Sequence, residues 1–355
     1  MVEKNLDFRS DTFTFPTPEM RESAMKAPVG DDGYGEDPTV NKLERLAADM
    51  LGKESALFVT SGILGNNVCL LSHTKRGDEV ILEARSDIYR SERGSIAFIG
   101  ALMTKIIPGE QGWMRPKDIE AAIRPLNNPF PRTALICVEN THNEAGGIPL
   151  TPKQLEANWD VAKRHNLPVH MDGARIFNAA IALRINVKEL AKYADSVMFC
   201  LSKGLAAPVG SVVVGTEELI DKARRYRKML GGGMRQAGII AAPGVLALTK
   251  MIDRLEEDHE NAKLLANEIS QIEGIKVLHT VMTNIVYIDI SKLGWTSQQW
   301  NSACAKLGWK SGGYPRDFAR AREESTTIRL CTHYGIERED IESFLEGIKK
   351  LVPKN

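Results

Sequence analysis

Two apolar runs end in residues that could do chemistry together. Val169-His-Met-Asp172-Gly-Ala-Arg175 finishes in an acid, a glycine and an arginine. Val197-Met-Phe-Cys-Leu-Ser202-Lys203-Gly204 finishes in serine and lysine, with Lys203 lying 31 residues after Asp172. If both runs are strands joined by a helical crossover, Asp172 and Lys203 reach the same carboxyl edge of a parallel sheet. Ligands of open α/β sheets bind at that edge. A lysine among apolar neighbours can shed its proton and attack an aldehyde, and an acid facing it can keep a pyridine nitrogen protonated. Both needs meet in pyridoxal 5′-phosphate, whose aldehyde forms a Schiff base with lysine and whose ring nitrogen pairs with an acid. Taken singly, a strand-end Asp is more often a helix cap and a strand-end Lys a surface charge. Their pairing across one crossover favours the cofactor.

Such a cofactor needs a phosphate cradle. Phe58-Val-Thr-Ser61-Gly62-Ile63-Leu-Gly-Asn66 puts a Thr-Ser-Gly turn between a strand and a helix, where free N–H groups and the positive end of the helix dipole face an anion. Alone this is a weak signal, because many strand–helix turns look the same.

The elements that must hold these residues can be read from periodicity. Strands are expected at Ala56–Val59, Glu79–Leu82, Met103–Ile107, Ala134–Val138, Val169–Met171, Val197–Leu201 and Ser211–Val214, with helical patterns such as Lys117–Ile123 and Pro152–His165 between them. This alternation predicts a mainly parallel seven-stranded sheet flanked by helices, an α/β fold. Arg124-Pro-Leu-Asn-Asn-Pro-Phe-Pro-Arg reads as a surface loop. One long helical stretch is expected from Gly244 to about Ile269, with its charged middle (253–260) solvated. Beyond it, strands (Lys276–His279, Ile285–Asp289, Thr327–Cys331) and helices (Ser297–Leu307, Glu339–Leu351) make a smaller α+β domain. The expected division is an N-terminal arm (1–15), a large cofactor-binding domain (16–250) and a small C-terminal domain (251–355).

Composition excludes other classes. The 355 residues are 43% apolar and 26% charged, which is globular rather than disordered or fibrous. Lys plus Arg (46) balances Asp plus Glu (46), unlike the basic excess of a nucleic-acid binder. The five cysteines are scattered with no C-x-x-C pair and read as buried reduced thiols. No metal-binding or dinucleotide motif occurs, so no metal is expected. The polar start and the lack of a long apolar span point to a cytoplasmic protein with no membrane partner.

The segments Phe8-Arg-Ser10-Asp-Thr12, Gly30-Asp-Asp-Gly-Tyr34-Gly-Glu-Asp-Pro-Thr39, Leu57-Phe-Val-Thr-Ser-Gly62, Glu139-Asn-Thr-His142-Asn, Asp172-Gly-Ala-Arg175, Ser202-Lys203-Gly204, Gly231-Gly-Gly-Met-Arg235-Gln and Arg329-Leu-Cys-Thr-His333 stand in this order along nearly the whole chain. Together they resemble the L-threonine aldolase, or β-eliminating lyase, family. The resemblance implies an aspartate-aminotransferase-like fold and a homodimer or homotetramer with shared active sites. Lys203 then carries pyridoxal phosphate and Asp172 pairs with its ring nitrogen. The groups around Ser61, Gly62 and Ile63 hold the phosphate, with Arg235 arriving from a neighbouring subunit. Ser10, Arg175 and Arg329 match positions around the substrate carboxylate, and Arg175 equally matches contact with the cofactor's phenolic oxygen. His142 matches a residue near the β-hydroxyl, and Tyr34 a loop that approaches the partner's site.

One departure stands out. The family's Ser-His pair after the Glu79–Leu82 strand, whose histidine lies over the cofactor ring, is Ser86-Asp87 here. A carboxylate cannot stack as imidazole does, and it adds negative charge beside an anionic cofactor; the other reading of Asp87 is an exposed helix cap. The implied reaction is retro-aldol cleavage of L-threonine or L-allo-threonine to glycine and acetaldehyde, with His142, a water or Asp87 taking the hydroxyl proton. The alternatives are β-elimination or transamination of a related amino acid, or a catalytically weak family member.

Overall fold

The computed structural model describes residues 6–125, 129–313 and 325–352. The chain divides into two compact units, one of residues 16–252 and one of residues 1–15 with 253–355.

The first unit is built on seven strands: β1 (Ser55–Val59), β2 (Glu79–Glu83), β3 (Met103–Ile107), β4 (Thr133–Glu139), β5 (Val169–Asp172), β6 (Ser196–Cys200) and β7 (Ser211–Gly215). Their order is β1-β7-β6-β5-β4-β2-β3. β3, β2, β4, β5 and β6 run parallel, and β7 runs antiparallel to both β6 and β1. β2, β4, β5, β6 and β7 are buried along their whole length. That is why β2, β4, β6 and β7 read as near-continuous apolar runs, whereas β5 alternates Val169 and Met171 with His170 and Asp172. Helices cover both faces in the manner of such sheets. Helix Gly62–His73 packs so closely on β6 that a Cβ on Gly65 would come within 2.6 Å of Met198 Cγ. Residues 126–128 of the proline-rich stretch expected to be a surface loop lie outside the described residues.

Local chemistry sets the helix starts. Asp37 accepts from the N–H groups of Thr39 and Val40, both at 3.0 Å, and so caps helix Pro38–Leu51. Its other oxygen accepts from Gly238 N at 2.8 Å. The neighbouring Asp32 forms a fully buried ion pair with Arg227 of helix Glu217–Met229 (Nη2–Oδ2, 2.7 Å). Arg227 also donates from Nη1 to the Phe58 carbonyl of β1 at 2.7 Å. The loop carrying Tyr34 is thereby tied to the sheet.

The second unit has a four-stranded antiparallel sheet, ordered β10 (Gly312–Gly313), β11 (Thr327–Cys331), β9 (Ile285–Asp289) and β8 (Lys276–Val277). Helices Leu255–Ile269, Ser297–Lys306 and Arg338–Leu351 complete it. Its core holds Phe8, Trp300, Trp309 and Phe344, with Phe8 stacked on Trp309 at 4.3 Å. The first described residues are thus part of this core.

The long helix expected from Gly244 to Ile269 is two helices, Gly238–Lys250 and Leu255–Ile269. The second starts afresh because Glu256, Glu257 and Asp258 load its first turn with negative charge, which the helix dipole favours there. The charged stretch is not simply solvated: Asp258 is fully buried and pairs with Arg254 at 2.7 Å. All five cysteines are buried, and none is in a disulfide. Among the described residues no helix is long and apolar enough to cross a membrane.

Removing one partner of a buried ion pair strands the other charge. Asp32→Ala is therefore expected to cost about 3 kcal/mol of stability, read from denaturant unfolding. A loss below about 1 kcal/mol, the worth of an exposed pair, would show that the pair is not the lock described.

Candidate active site

β5 and β6 end side by side, with Asp172 opposite Met198 in the pairing. Asp172 closes β5, and Lys203 follows β6 in the connection to β7. Because β7 is antiparallel, that connection is a hairpin. Cys200 faces Ser211 across the pair, and Leu201 N donates to Gly210 O at 3.0 Å. Inside it, Ala206 N donates to Lys203 O at 2.9 Å with Ala206 held at φ 64°. An alanine rarely occupies this left-handed region, and such strain gathers at functional sites.

Lys203, Asp172, Ser61, Gly62, Ile63 and Asp87 line one cavity of about 360 Å³ at this edge, with Thr60, Asn66, Glu92 and Ser202. Ser61 is the N-cap of helix Gly62–His73 and accepts from Leu64 N at 3.2 Å. Gly62 and Ile63 of that first turn line the cavity at the positive end of the helix dipole. Gly62 fits against Cys200, whose Sγ would lie 3.1 Å from an added Cβ.

Asp172 is 3% exposed. Its Oδ2 accepts from Asn66 Nδ2 at 2.9 Å and its Oδ1 from Ala174 N at 3.1 Å. Burial pushes its carboxyl up from the ordinary value, and the charge of Lys203 draws it back down. The second N–H of Asn66 goes to Glu92 Oε1 at 2.7 Å. Burial pushes Glu92 up to about 8.

Asp87 opens the short helix Asp87–Arg90, capped by Ser86, and is half-buried rather than an exposed cap. Its N–H donates to Glu139 Oε2 at 2.7 Å. Its carboxylate accepts from Asn143 Nδ2 at 3.2 Å and Ser91 Oγ at 3.1 Å. His142 is fully buried and is not among the residues that line the cavity. Its Nδ1 accepts from Ala145 N at 3.2 Å, so Nε2 carries the hydrogen and donates to Glu83 Oε2 at 3.0 Å. Burial works against charging this ring, yet Glu139 and Glu83 outweigh it and raise its pKa; the Ala145 N–H opposes them by occupying the Nδ1 lone pair. Gly112 lies so close to this imidazole that a Cβ there would meet it at 2.4 Å.

Arg175 is buried at the head of helix Ile176–Leu183, outside the cavity lining. Tyr34 is 79% exposed, and the exposed Arg235 side chain reaches Asp31 at 3.3 Å. Ser10 and Arg329 belong to the other unit. There Ser10 accepts from Thr12 N at 3.3 Å, and Arg329 on β11 donates from Nη2 to Arg9 O at 2.9 Å.

Three residues of this neighbourhood escape a reading of the sequence: Asn66, Glu92 and Glu83. Only Asn66 leaves a trace, since asparagine inside a helix is poorly placed for propensity and needs a reason to be there.

The family model described as beta-eliminating lyase matches residues 7–292. The low-specificity L-threonine aldolase 1 of Arabidopsis thaliana is 44% identical over 349 residues, covering 96% of this chain and 94% of that one. The low specificity L-threonine aldolase of Escherichia coli K12 is 40% identical over 341 residues, covering 95% and 96%. Among solved structures, the threonine aldolase of Leishmania major superposes with a TM-score of 0.81 at 21% identity, over 98% of this chain and all of that one. With a matching family model over most of its length and such relatives end to end, the chain belongs to the beta-eliminating lyase family and has the aspartate-aminotransferase-like fold of that family.

Proposed function

We propose that this protein is a pyridoxal phosphate-dependent aldolase that cleaves L-threonine or L-allo-threonine to glycine and acetaldehyde. The observation that carries the reading is the meeting, in one cavity, of a lysine, a buried aspartate and the N-terminus of a helix. The relatives named for threonine cleavage support it. The cofactor asks for an amine to meet its aldehyde, an anion for its ring nitrogen and donors for its phosphate, and the cavity has a group of each kind. When bound, pyridoxal phosphate supplies a conjugated electron sink for the pair released from the Cα–Cβ bond.

Lys203 would hold the cofactor through its amine, and Asp172 would keep the ring nitrogen protonated. Ser61 and the amides of Gly62 and Ile63 would hold the phosphate, joined by Arg235 of a second copy in a homodimer or homotetramer. Arg329 would fork the substrate carboxylate beside Ser10. Arg175 would bind that carboxylate or the cofactor's phenolic oxygen, and Tyr34 would approach a partner's site. The substrate's hydroxyl proton needs an acceptor before the carbon–carbon bond breaks. Asp87 lines the cavity, whereas both nitrogens of His142 are engaged elsewhere. This favours Asp87, directly or through a water, with His142 supporting the wall behind it.

Lys203→Ala is expected to abolish both the visible absorbance of the bound cofactor and the release of glycine from L-threonine, since among the described residues no other lysine lines the cavity. A variant that kept a borohydride-reducible cofactor would remove Lys203 from this role. Asp172→Asn is expected to bind the cofactor but to lose turnover by at least about 10²-fold, because a neutral amide does not favour the protonated ring. Near-normal glycine release would count against the pairing. Asp87→Asn tests the base: kcat is expected to fall by about 10²-fold with KM far less affected. An unchanged kcat would pass the proton to another group.

A further inference from the structure

We propose that Asn66 is the positioning residue of the Asp172 carboxylate, its amide held in one orientation by the chain His170–Ser196–His73 that runs to the opposite edge of the sheet. The proposal rests on the functional reading above only in taking Asp172 as the anion that faces the cofactor.

The orientation follows from which atoms meet. Asn66 Nδ2 stands 2.9 Å from Asp172 Oδ2 and 2.7 Å from Glu92 Oε1, so both of its hydrogens point at carboxyl oxygens. Turning the amide over would set its own oxygen against those two acceptors. Asn66 Oδ1 therefore faces the other way, 3.0 Å from His170 Nε2, and that nitrogen must carry the hydrogen. His170 Nδ1 is then an acceptor and takes the Ser196 hydroxyl hydrogen at 2.8 Å. The Ser196 oxygen in turn accepts from His73 Nε2 at 2.8 Å. Every donor direction in the chain is fixed by the first pair of contacts.

The fold makes the path straight. His170 and Asp172 lie two residues apart on β5 and so share a face. His170 stands opposite Ser196 in the pairing with β6. Asn66 and His73 sit seven residues, two turns, apart on the helix covering that face. Asp172 closes its strand and Ser196 opens the neighbouring one, so the chain spans the sheet from its carboxyl to its amino edge.

It orients and does not conduct. An amide has no exchangeable lone-pair and hydrogen on one atom to pass a proton along, so Asn66 breaks any relay. Burial lowers His170 to about 3 and His73 to about 4, leaving both rings neutral at working pH. His73 faces Asp195, Lys163 and Lys222 in addition to Ser196, and none of these overturns the effect of burial. Glu92 receives Ser95 Oγ–H on its other oxygen at 3.1 Å and faces Asp172 and Asp87. Burial raises both Glu92 and Asp172, and the charge of Lys203 draws Asp172 back toward its charged form.

A merely satisfied polar core is the competing account. Val68, Leu70 and Met198 nearby are apolar and buried, and the Cys69 thiol meets the Ser196 side chain. A core that needed only to be filled could be apolar at 66, 73, 170 and 196 together, since replacing all partners of a buried hydrogen bond is nearly neutral. What such a core could not do is brace the Asn66 amide from behind while its hydrogens hold Asp172 and Glu92.

The first test needs no variant: the ring ¹⁵N spectrum of the holoenzyme should show neutral His170 protonated on Nε2. Protonation on Nδ1 overturns the proposal. Ser196→Ala removes one link that touches neither Asp172 nor the cavity. It is expected to give His170 a mixture of tautomers and to lower kcat for glycine release by about three- to tenfold, with KM within about twofold. The pH at which bound pyridoxal phosphate changes its absorbance should move by about half a unit, and Ser196→Thr should restore all three. Unchanged kcat and absorbance titration in Ser196→Ala overturn the proposal. If that variant folds poorly, Asn66→Ser, which keeps a polar group but loses the second donor, is expected to shift the same titration, and no shift has the same force. If the wild type binds pyridoxal phosphate yet releases no glycine from any β-hydroxy amino acid, the functional reading fails, and the tautomer and titration still decide the positioning role.

Discussion

A carboxylate at the end of a buried strand is the constraint around which this molecule is arranged. Removing Asp172 from water would cost several kcal/mol if it were left uncompensated. Compensation has to come from groups that the fold brings there: a side-chain amide from one helix, a backbone N–H two residues on, and the charge of Lys203 from the next strand. Each demands its own support. The helix must lie close, hence glycine at 65, and the lysine must follow the neighbouring strand directly. Glu92, Asp87 and Glu139 crowd the same region with further acids, and burial pushes Glu139 to about 8. A site so rich in acids has its strongest attraction for a group that arrives with positive charge.

Much of this architecture is legible in the order of residues because parallel strands buried on both faces write themselves as unbroken apolar runs. Five of the seven expected strands of the large sheet lack only one or two end residues, the third matches at both ends and the sixth is displaced by one; Asp172 and Lys203 stand out because they end such runs with charge. The boundary near residue 252 is harder. Its neighbours on both sides are good helix formers, and only the clustered acids at 256–258 signal a fresh helix start.

The surroundings of the two charges are less legible still. Asn66 meets Glu92 and Asp172 across 26 and 106 residues of sequence, and no local pattern encodes such distances. His142 teaches the opposite lesson. A histidine beside an acidic strand end invites a role at the reacting atoms, yet three-dimensional packing seals it between Glu83 and a backbone amide. Asp87, by contrast, is among the residues that line the cavity.

The antiparallel seventh strand has a mechanical consequence. In a parallel sheet a loop that leaves a strand end leads into a helix, and a residue on it can travel when that helix shifts. The lysine's connection instead returns at once into the sheet, stapled at its base between Leu201 and Gly210 and kinked at Ala206. Loops that open easily have few such bonds and little buried surface. Lys203 consequently sits in a connection whose two ends are tied to the sheet, so it does not travel with any helix. Any hinge that admits a substrate or lets a product go must lie in other segments, and a slow step of that kind would be tuned by residues far from the lysine.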